Sequence, residues 1–269
     1  MGKRKGFTFI EISLFLAVTA ALFIGVALGV NNSIFQQQYN DTTQSFFEFL
    51  RSVYSEVSNT QSVGDGNSDY AIYGKMIVFG EDTDLTGVAI PSSEQEVFVY
   101  DVVGSAVSSG TGDIKELLKA LGANVVFIDR RSNNTIENIS LAAPEKYVPR
   151  WLSQIETTGG AAMKKTILVV RHPRSGTINT LVLDEAIQVN TAMRNASSCI
   201  SQINCSAVSD LLTSKIDSFT TSEVDFCINP YGAGNSGGTP RRNIRILENA
   251  RNASSVQLLE LEGSGNRCL

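Results

Sequence analysis

A long apolar segment stands near the start of the chain. Residues 7 to 30 read FTFIEISLFLAVTAALFIGVALGV, and Glu11 is the only charged residue among them. The uncharged run that follows Glu11 is close to the ~20 residues that a helix needs to cross the hydrocarbon core of a bilayer. A basic cluster at residues 3 to 5 precedes the segment, and the next positive charge is Arg51. By the positive-inside rule, the sequence predicts one spanning helix whose N-terminus lies in the cytoplasm.

Beyond residue 30 the pattern becomes that of an amphipathic helix. Apolar residues recur at steps of three and four on one face, and polar residues occupy the other. We therefore predict one continuous helix of about fifty residues, in which residues 7–30 span the membrane and residues 31–60 pack on the head. A break into two helices at Asn31–Asn32 is the alternative. The apolar positions are Phe35, Tyr39, Thr42, Phe46, Leu50, Val53 and Val57.

The residue pattern from 61 to 269 predicts a head domain that is mainly β-sheet. Segments rich in Val, Ile, Phe and Tyr alternate with Gly, Ser and Asn, as is typical of antiparallel strands. A long helix followed by such a sheet, with a few short helices, is an α+β fold. The predicted strands are Tyr70–Phe79, Glu94–Val103, Asn124–Asp129, Thr166–Arg171, Thr177–Leu183, Glu223–Ile228, Asn243–Glu248 and Val256–Leu261, and the predicted short helices are Asp113–Leu121, Asp184–Ala196 and Ala207–Phe219.

The charge balance narrows the range of partners. The formal net charge is −5, and no basic stripe is available to neutralise phosphates. We therefore expect no nucleic-acid partner. The head is expected outside the cytoplasm, held by a single membrane pass.

The four cysteines all fall in the last third of the chain. An even number of cysteines in a membrane-targeted chain indicates two disulfides formed in an oxidising compartment. Three pairings are possible, and we favour Cys199–Cys205 and Cys227–Cys268, because the first closes a short loop and the second fixes the C-terminus to the fold. The spacing offers no C-x2-C pair, so we expect no zinc site.

The residues around the start of the apolar segment carry a specific resemblance. The run Gly6-Phe7-Thr8-Phe9-Ile10-Glu11 resembles the prepilin-peptidase recognition motif of type IV pilins and type II secretion pseudopilins. Members of those families have a short basic leader that ends in Gly, a Phe after the cut, and Glu as the fifth residue of the mature chain. The resemblance implies a leader of residues 1–6 and a helix retained as membrane anchor and filament core.

The same resemblance implies a set of partners. A prepilin peptidase would cut between Gly6 and Phe7 and methylate the new amino group of Phe7. Other pilin subunits, an assembly platform and its ATPase, and membrane lipid before assembly would be the remaining partners. The resemblance also implies that Glu11 pairs with the terminal amine of a neighbouring subunit; independently, a carboxylate in a low-dielectric environment requires a cation.

The chain departs from the family in one respect. Many major pilins have a proline in this helix, whereas here no proline precedes Pro91. The long head favours a minor pilin or pseudopilin, found in a periplasmic or cell-surface filament, over an abundant major pilin.

Catalytic and metal sites are predicted to be absent. The sole histidine, His172, could join Ser175 and Asp184 in a hydrolase triad, but G-x-S-x-G is missing and a turn explains the segment more simply. The segment 65–69 starts like a calcium loop and fails where coordination would be completed, so calcium in a head loop remains only an alternative. The acidic run 81–84 and the glycine-rich run 232–238 are interpreted as loops.

Trp151 and the aromatic residues near it are expected in the core and not on a ligand platform. The competing hypothesis for the whole chain, from a different functional class, is an extracytoplasmic binding protein or enzyme held by an uncleaved signal anchor.

Overall fold

The computed structural model describes residues 9–59, 70–84, 87–91, 95–105, 113–126, 145–195, 206–230, 241–259 and 267–268. Its first element is the helix α1, Phe9–Asn59, of 51 residues. The helix runs without interruption past Asn31–Asn32, so the single-helix prediction is confirmed and the break is not found. Strong helix formers and the absence of proline allow this length.

The remaining elements follow the predicted order. All eight predicted strands are present, and their ends differ from the predicted ends by at most three residues. The strands are β1 Tyr70–Phe79, β2 Val97–Ser105, β3 Asn124–Val126, β4 Glu145–Tyr147, β5 Gln154–Glu156, β6 Lys165–Arg171, β7 Ile178–Leu183, β8 Val224–Asn229, β9 Arg242–Ile246 and β10 Val256–Leu259. The short helices are α2 Ile114–Ala120, α3 Val189–Asn195 and α4 Ser206–Lys215, with 3-10 turns at Arg150–Leu152, Ile216–Ser218 and Ala253–Ser255.

Three differences from the sequence prediction stand out. Strands β4 and β5 were not predicted, because a strand of three residues shows too little alternation to detect. The helix predicted from Asp184 begins only at Val189, since residues 184–185 form a bend and residues 186–188 have no regular structure. The strand predicted to start at Glu94 starts at Val97.

The strands form two antiparallel sheets among the described residues. The first has the order β3-β2-β1-β6-β7, with β4 also paired to β2, and the second has the order β10-β9-β8-β5. All their pairings are antiparallel. This confirms the α+β class.

The core is divided by the first sheet. One cluster joins one face of that sheet to α2, α3 and α4, through residues such as Leu117, Leu168 and Leu212. The other cluster joins the opposite face to α1 and the second sheet, through residues such as Leu50, Ile167 and Phe226. The second half of α1 is therefore part of the head core and not an appendage.

A disulfide fixes the C-terminal end to the second sheet. Cys227 in β8 is bonded to Cys268, with 5.4 Å between their Cα atoms, and both side chains are buried. Closing a loop of this length restricts the unfolded chain by an amount worth about 4 kcal/mol in the chain-entropy model. This half of the predicted pairing is present; Cys199 and Cys205 lie outside the described residues.

Candidate assembly surface

The first half of α1 is an uncovered apolar helix. Residues Phe9–Ala27 are long and apolar enough to cross a membrane, and none of that window is buried within the chain. Water does not tolerate an apolar surface of this size, so a bilayer or other protein must cover it. The exposed large side chains are Phe9, Ile10, Ile12, Leu14, Phe15, Leu16, Val18, Leu22, Phe23, Ile24, Val26, Val30, Ile34 and Phe35.

The helix satisfies its own polar groups in this segment. The hydroxyl of Ser13 donates to the carbonyl of Ile10 at 3.0 Å, and that of Thr19 donates to the carbonyl of Phe15 at 2.8 Å. Hydroxyls bonded back to the preceding turn present little polar surface outward. The segment therefore suits an environment without water, where unsatisfied polar groups are costly.

Glu11 is the exception in this apolar surface. It lies in the first turn of α1, and its side chain is exposed. A carboxylate near a helix N-terminus is favoured by the helix dipole, but a dipole alone does not balance a full charge in a low-dielectric environment. The predicted cleavage residues Gly6 and Phe7 lie outside the described residues.

The second half of α1 contacts the head from Tyr39 to Ser58, a region that we call the joint. At its lower end, nearest the apolar segment, the head contacts Tyr39. Its hydroxyl donates to the carbonyl of Ile228 at 3.2 Å and accepts a hydrogen bond from the backbone N–H of Arg242. The guanidinium of Arg242 lies over the Tyr39 ring, 5.6 Å from its centroid. Burial raises the pKa of Tyr39 to about 12, so the hydroxyl stays protonated as a donor at physiological pH.

Aromatic packing holds the middle of the joint. The ring of Phe46 contacts Phe79, Phe226 and Tyr147, at centroid distances of 6.2, 5.3 and 5.4 Å. Phe79 belongs to the first sheet and Phe226 to the second, so one helix side chain joins both sheets. Aromatic contacts of this kind add about 0.5–1.5 kcal/mol each beyond their buried area.

Charged groups stabilise the upper end of the joint, farthest from the apolar segment. The ammonium of Lys75 in β1 lies 2.6 Å from Glu56 of α1 and 2.7 Å from Glu145 of β4. Burial by itself lowers the pKa of Lys75, but hydrogen bonds to Glu145 and Glu56 outweigh it, and the net shift is upward. Arg171 donates to the carbonyl of Ser58 at 3.0 Å and so places a cation at the C-terminal end of α1, where the helix dipole favours it.

These contacts fix the direction in which the uncovered first half of α1, the stalk, leaves the head. They extend from Tyr39 to Ser58, which is just over five turns of helix. The face predicted from the sequence is confirmed from Thr42 to Val57, where its apolar members are buried. Phe35, predicted on the same face, is 50% exposed because it lies below the head.

The possible triad is not brought together. His172 lies in the β6–β7 turn, where its Nδ1 accepts the backbone N–H groups of Arg174 and Ser175 at 3.3 Å each. Asp184 follows the other end of β7 and pairs with Lys165. The length of β7 separates His172 from Asp184 by about 20 Å. The histidine organises a turn.

The acidic run at residues 81 to 84 lies in a loop, as predicted, but it is not uniformly exposed to solvent. Glu81 is 4% exposed and accepts hydrogen bonds from the Tyr100 hydroxyl and, at 3.0 Å, from the backbone N–H of Asn190. Asp82 is exposed, and Asp84 accepts the backbone N–H of Val88. No group of three or more potential metal ligands occurs among the described residues. The segment 65–69 and the glycine-rich run 232–238 lie outside them.

Burial favours the protonated form of Glu81, against the hydrogen bonds that its carboxylate accepts. Tyr100 also lies 3.1 Å from Oδ1 of Asn190, but its single hydroxyl proton can serve only one of the two acceptors. When Glu81 carries a proton, it can donate to Tyr100, and Tyr100 can donate to Asn190. Burial raises the pKa of Glu81 to about 7, against the hydrogen bonds from Tyr100 and the backbone of Asn190 and Val189, which lower it.

We expect a pH dependence of stability from this carboxyl. Since its folded pKa is above the unfolded value of 4.5, its contribution is complete below pH 4.5 and is lost as the pH rises to about 7, by an amount on the order of 3 kcal/mol. Glu81→Gln should remove that part of the slope in denaturant titrations between these pH values. The exposed neighbour Asp82→Asn should keep it. An identical slope for wild type and Glu81→Gln would contradict the assignment.

Trp151 was expected in the core, and this expectation is wrong. The side chain is 55% exposed, and the residue has φ 59° and ψ 35° within the Arg150–Leu152 turn. An apolar residue type alone does not determine burial, because the turn geometry decides where the side chain points. The sequence carries no signal for this turn.

The surface most suited to function is therefore the uncovered helix with its single charge, held rigidly by the head. Its features are the apolar segment Phe9–Ala27, Glu11 and the joint from Tyr39 to Ser58. Comparison of the chain with protein-family models, with curated proteins and with solved structures found no match.

Proposed function

We propose that this chain is a subunit of a type IV pilus or a related filament, made as a membrane-anchored precursor and assembled through its N-terminal helix. One observation carries the proposal: an acidic residue, Glu11, interrupts an otherwise apolar and uncovered helix. It is the fifth residue after the predicted cut between Gly6 and Phe7. A signal anchor has no need of that charge, whereas a filament provides a cation to neutralise it.

The resemblance of residues 6–11 to the prepilin motif supplies the proposed sequence of events. A prepilin peptidase cuts after Gly6 and methylates Phe7 at the cytoplasmic face, where the basic leader lies. The cut creates a new amine at the start of the helix. In the filament, the amine of one subunit pairs with Glu11 of its neighbour, and the apolar surfaces of the helices cover one another. An assembly platform and its ATPase supply the work of extraction from lipid.

The rigid joint between stalk and head supports this role. A filament needs every head at the same angle to its helix, and contacts from Tyr39 to Ser58 fix that angle. The head would form the filament surface and take no catalytic part. The number of extra elements in it favours a minor pilin or pseudopilin.

The processing step is the first test. In cells that contain a prepilin peptidase, the wild-type chain should lose its leader, and Gly6→Ala should keep it, because a side chain at this position obstructs the cut. Gly2→Ala, the same substitution within the leader, should be processed normally. A wild-type chain that keeps its leader, as Gly6→Ala is expected to do, would favour the uncleaved signal anchor and contradict the proposal.

A further inference from the structure

An exposed tryptophan lies at the end of the head that is nearest the membrane segment. The hydroxyl of Thr42 in α1 donates to the carbonyl of Arg150 at 3.2 Å, which places the turn Arg150–Leu152 beside the lowest part of the joint. Trp151 is 55% exposed, the preceding Val148 is 44% exposed, and Arg150 is exposed. The chain therefore presents an aromatic residue, an aliphatic residue and a cation together in this basal turn, residues 148–152.

The fold does not account for tryptophan at this position. A φ of 59° is in the left-handed region, which costs a residue other than glycine about 1–2 kcal/mol. More than half of the ring gains no burial within the chain. Both facts indicate that Trp151 meets a surface outside the subunit.

The bilayer is the surface that the geometry favours. Thr42 lies about 18 Å along the helix from Val30, the end of the apolar segment. The apolar part of α1 from Phe9 to Val30 spans about 33 Å, which exceeds the ~30 Å hydrocarbon core. A segment that is longer than the hydrocarbon core tilts, and the tilt lowers one side of the head base towards the headgroups.

The residues of the basal turn are those that act as membrane-interface anchors. Tryptophan prefers the headgroup level, where one end of the ring is apolar and the other is wet. An arginine beside it can donate hydrogen bonds to lipid phosphates. Such anchors select the direction in which a spanning helix tilts.

We propose that the basal turn, through Trp151 and Arg150, seats the head on the anionic headgroups of the bilayer in the membrane-anchored state and so sets the tilt of the subunit before assembly. The inference rests on the membrane-anchored precursor of the proposed function. It adds a lipid contact of the head to the anchoring by the helix.

Trp151 is the only tryptophan in the chain, so intrinsic fluorescence reports on this turn alone. The full chain is reconstituted in phosphatidylcholine–phosphatidylglycerol vesicles, and insertion is checked by flotation. Lipids brominated near the headgroup should quench the emission by about half, and lipids brominated deep in the acyl chain should quench it less. Arg150→Gln should reduce the shallow quenching.

A displaced tryptophan provides the matched control. Trp151→Phe combined with Arg174→Trp moves the fluorophore to the β6–β7 turn, beside Ser58 and about 24 Å farther along the helix. This variant should be unaffected by brominated lipid and open to acrylamide.

Three results would overturn the inference. Trp151 could be quenched by acrylamide in vesicles as strongly as in the displaced variant, which would place it in water. It could be shielded from both bromolipid and acrylamide, which would place it against another copy of the chain. Either of these results, in a chain that floats with vesicles, leaves the filament proposal intact. The third result is a chain that does not float with vesicles, which contradicts both the lipid contact and the proposed function.

Discussion

Glu11→Ala should abolish filament formation while leaving the precursor inserted and cleaved. The substitution makes the helix more apolar, so membrane insertion is retained. In the filament, however, it leaves the amine of the neighbouring subunit without its carboxylate in a low-dielectric environment. Breaking one side of a buried ion pair costs about 3–5 kcal/mol, which lowers the equilibrium constant for adding a subunit by roughly a hundredfold or more.

The control for this prediction lies on the same helix. Glu48 is an exposed glutamate that accepts a hydrogen bond from Gln44 at 2.8 Å. Glu48→Ala should assemble at nearly the wild-type yield. Sheared filaments are quantified by immunoblot, together with the cleaved pool in the membrane. Wild-type filament yield from Glu11→Ala would show that the carboxylate has no part in assembly.

Gly74→Ala should destabilise the head by roughly 3 kcal/mol or more. Gly74 lies in β1 between two paired strands, next to a register shift that follows Ile72. A Cβ there would stand 2.1 Å from the carbonyl oxygen of Val169 and 2.7 Å from the Cα of Val170. Both are backbone atoms of β6, so relief requires β1 and β6 to separate at the centre of the sheet.

Gly159→Ala is the matched control, since its nearest neighbour would be the Thr157 hydroxyl at 3.9 Å. We expect a change within about 0.5 kcal/mol for that variant. The free energy of unfolding is measured by denaturant titration of the full chain in detergent, followed by Trp151 emission. Equal midpoints and slopes for Gly74→Ala and wild type would show that the β1–β6 spacing is not as close as described.

The helix and most strands could be predicted because their signals are local. Nineteen uncharged residues and a three-four repeat of apolar positions identify α1, and neither depends on distant parts of the chain. Alternating β-branched and aromatic residues between glycine-containing loops identify strands such as β1 and β6. The Cys227–Cys268 pairing followed from the position of Cys268 near the end of the chain.

The features that could not be predicted depend on distant contacts. Glu81 is buried because Tyr100 and Asn190, remote in sequence, provide hydrogen bonds to it. The short strand β5 exists because β8 is beside it. Trp151 is exposed because of a turn whose backbone conformation is unusual for its residue type. Local pattern carries none of this information.

The candidate site could be predicted mainly from residues 6–11. Gly6, Phe7 and Glu11 are predicted from the resemblance of residues 6–11 to the prepilin-peptidase motif, and the structure adds the uncovered apolar surface and its attachment to the head. The Trp151 turn was missed, because a single aromatic residue in a short turn gives no periodic signal.

The mass of the mature N-terminus tests the central claim most directly. Protein recovered from membranes and from sheared surface filaments is digested, and its first peptide is sequenced by mass spectrometry. The account predicts a chain that begins at N-methylated Phe7. A mature chain that still begins at Met1 or Gly2 would contradict it.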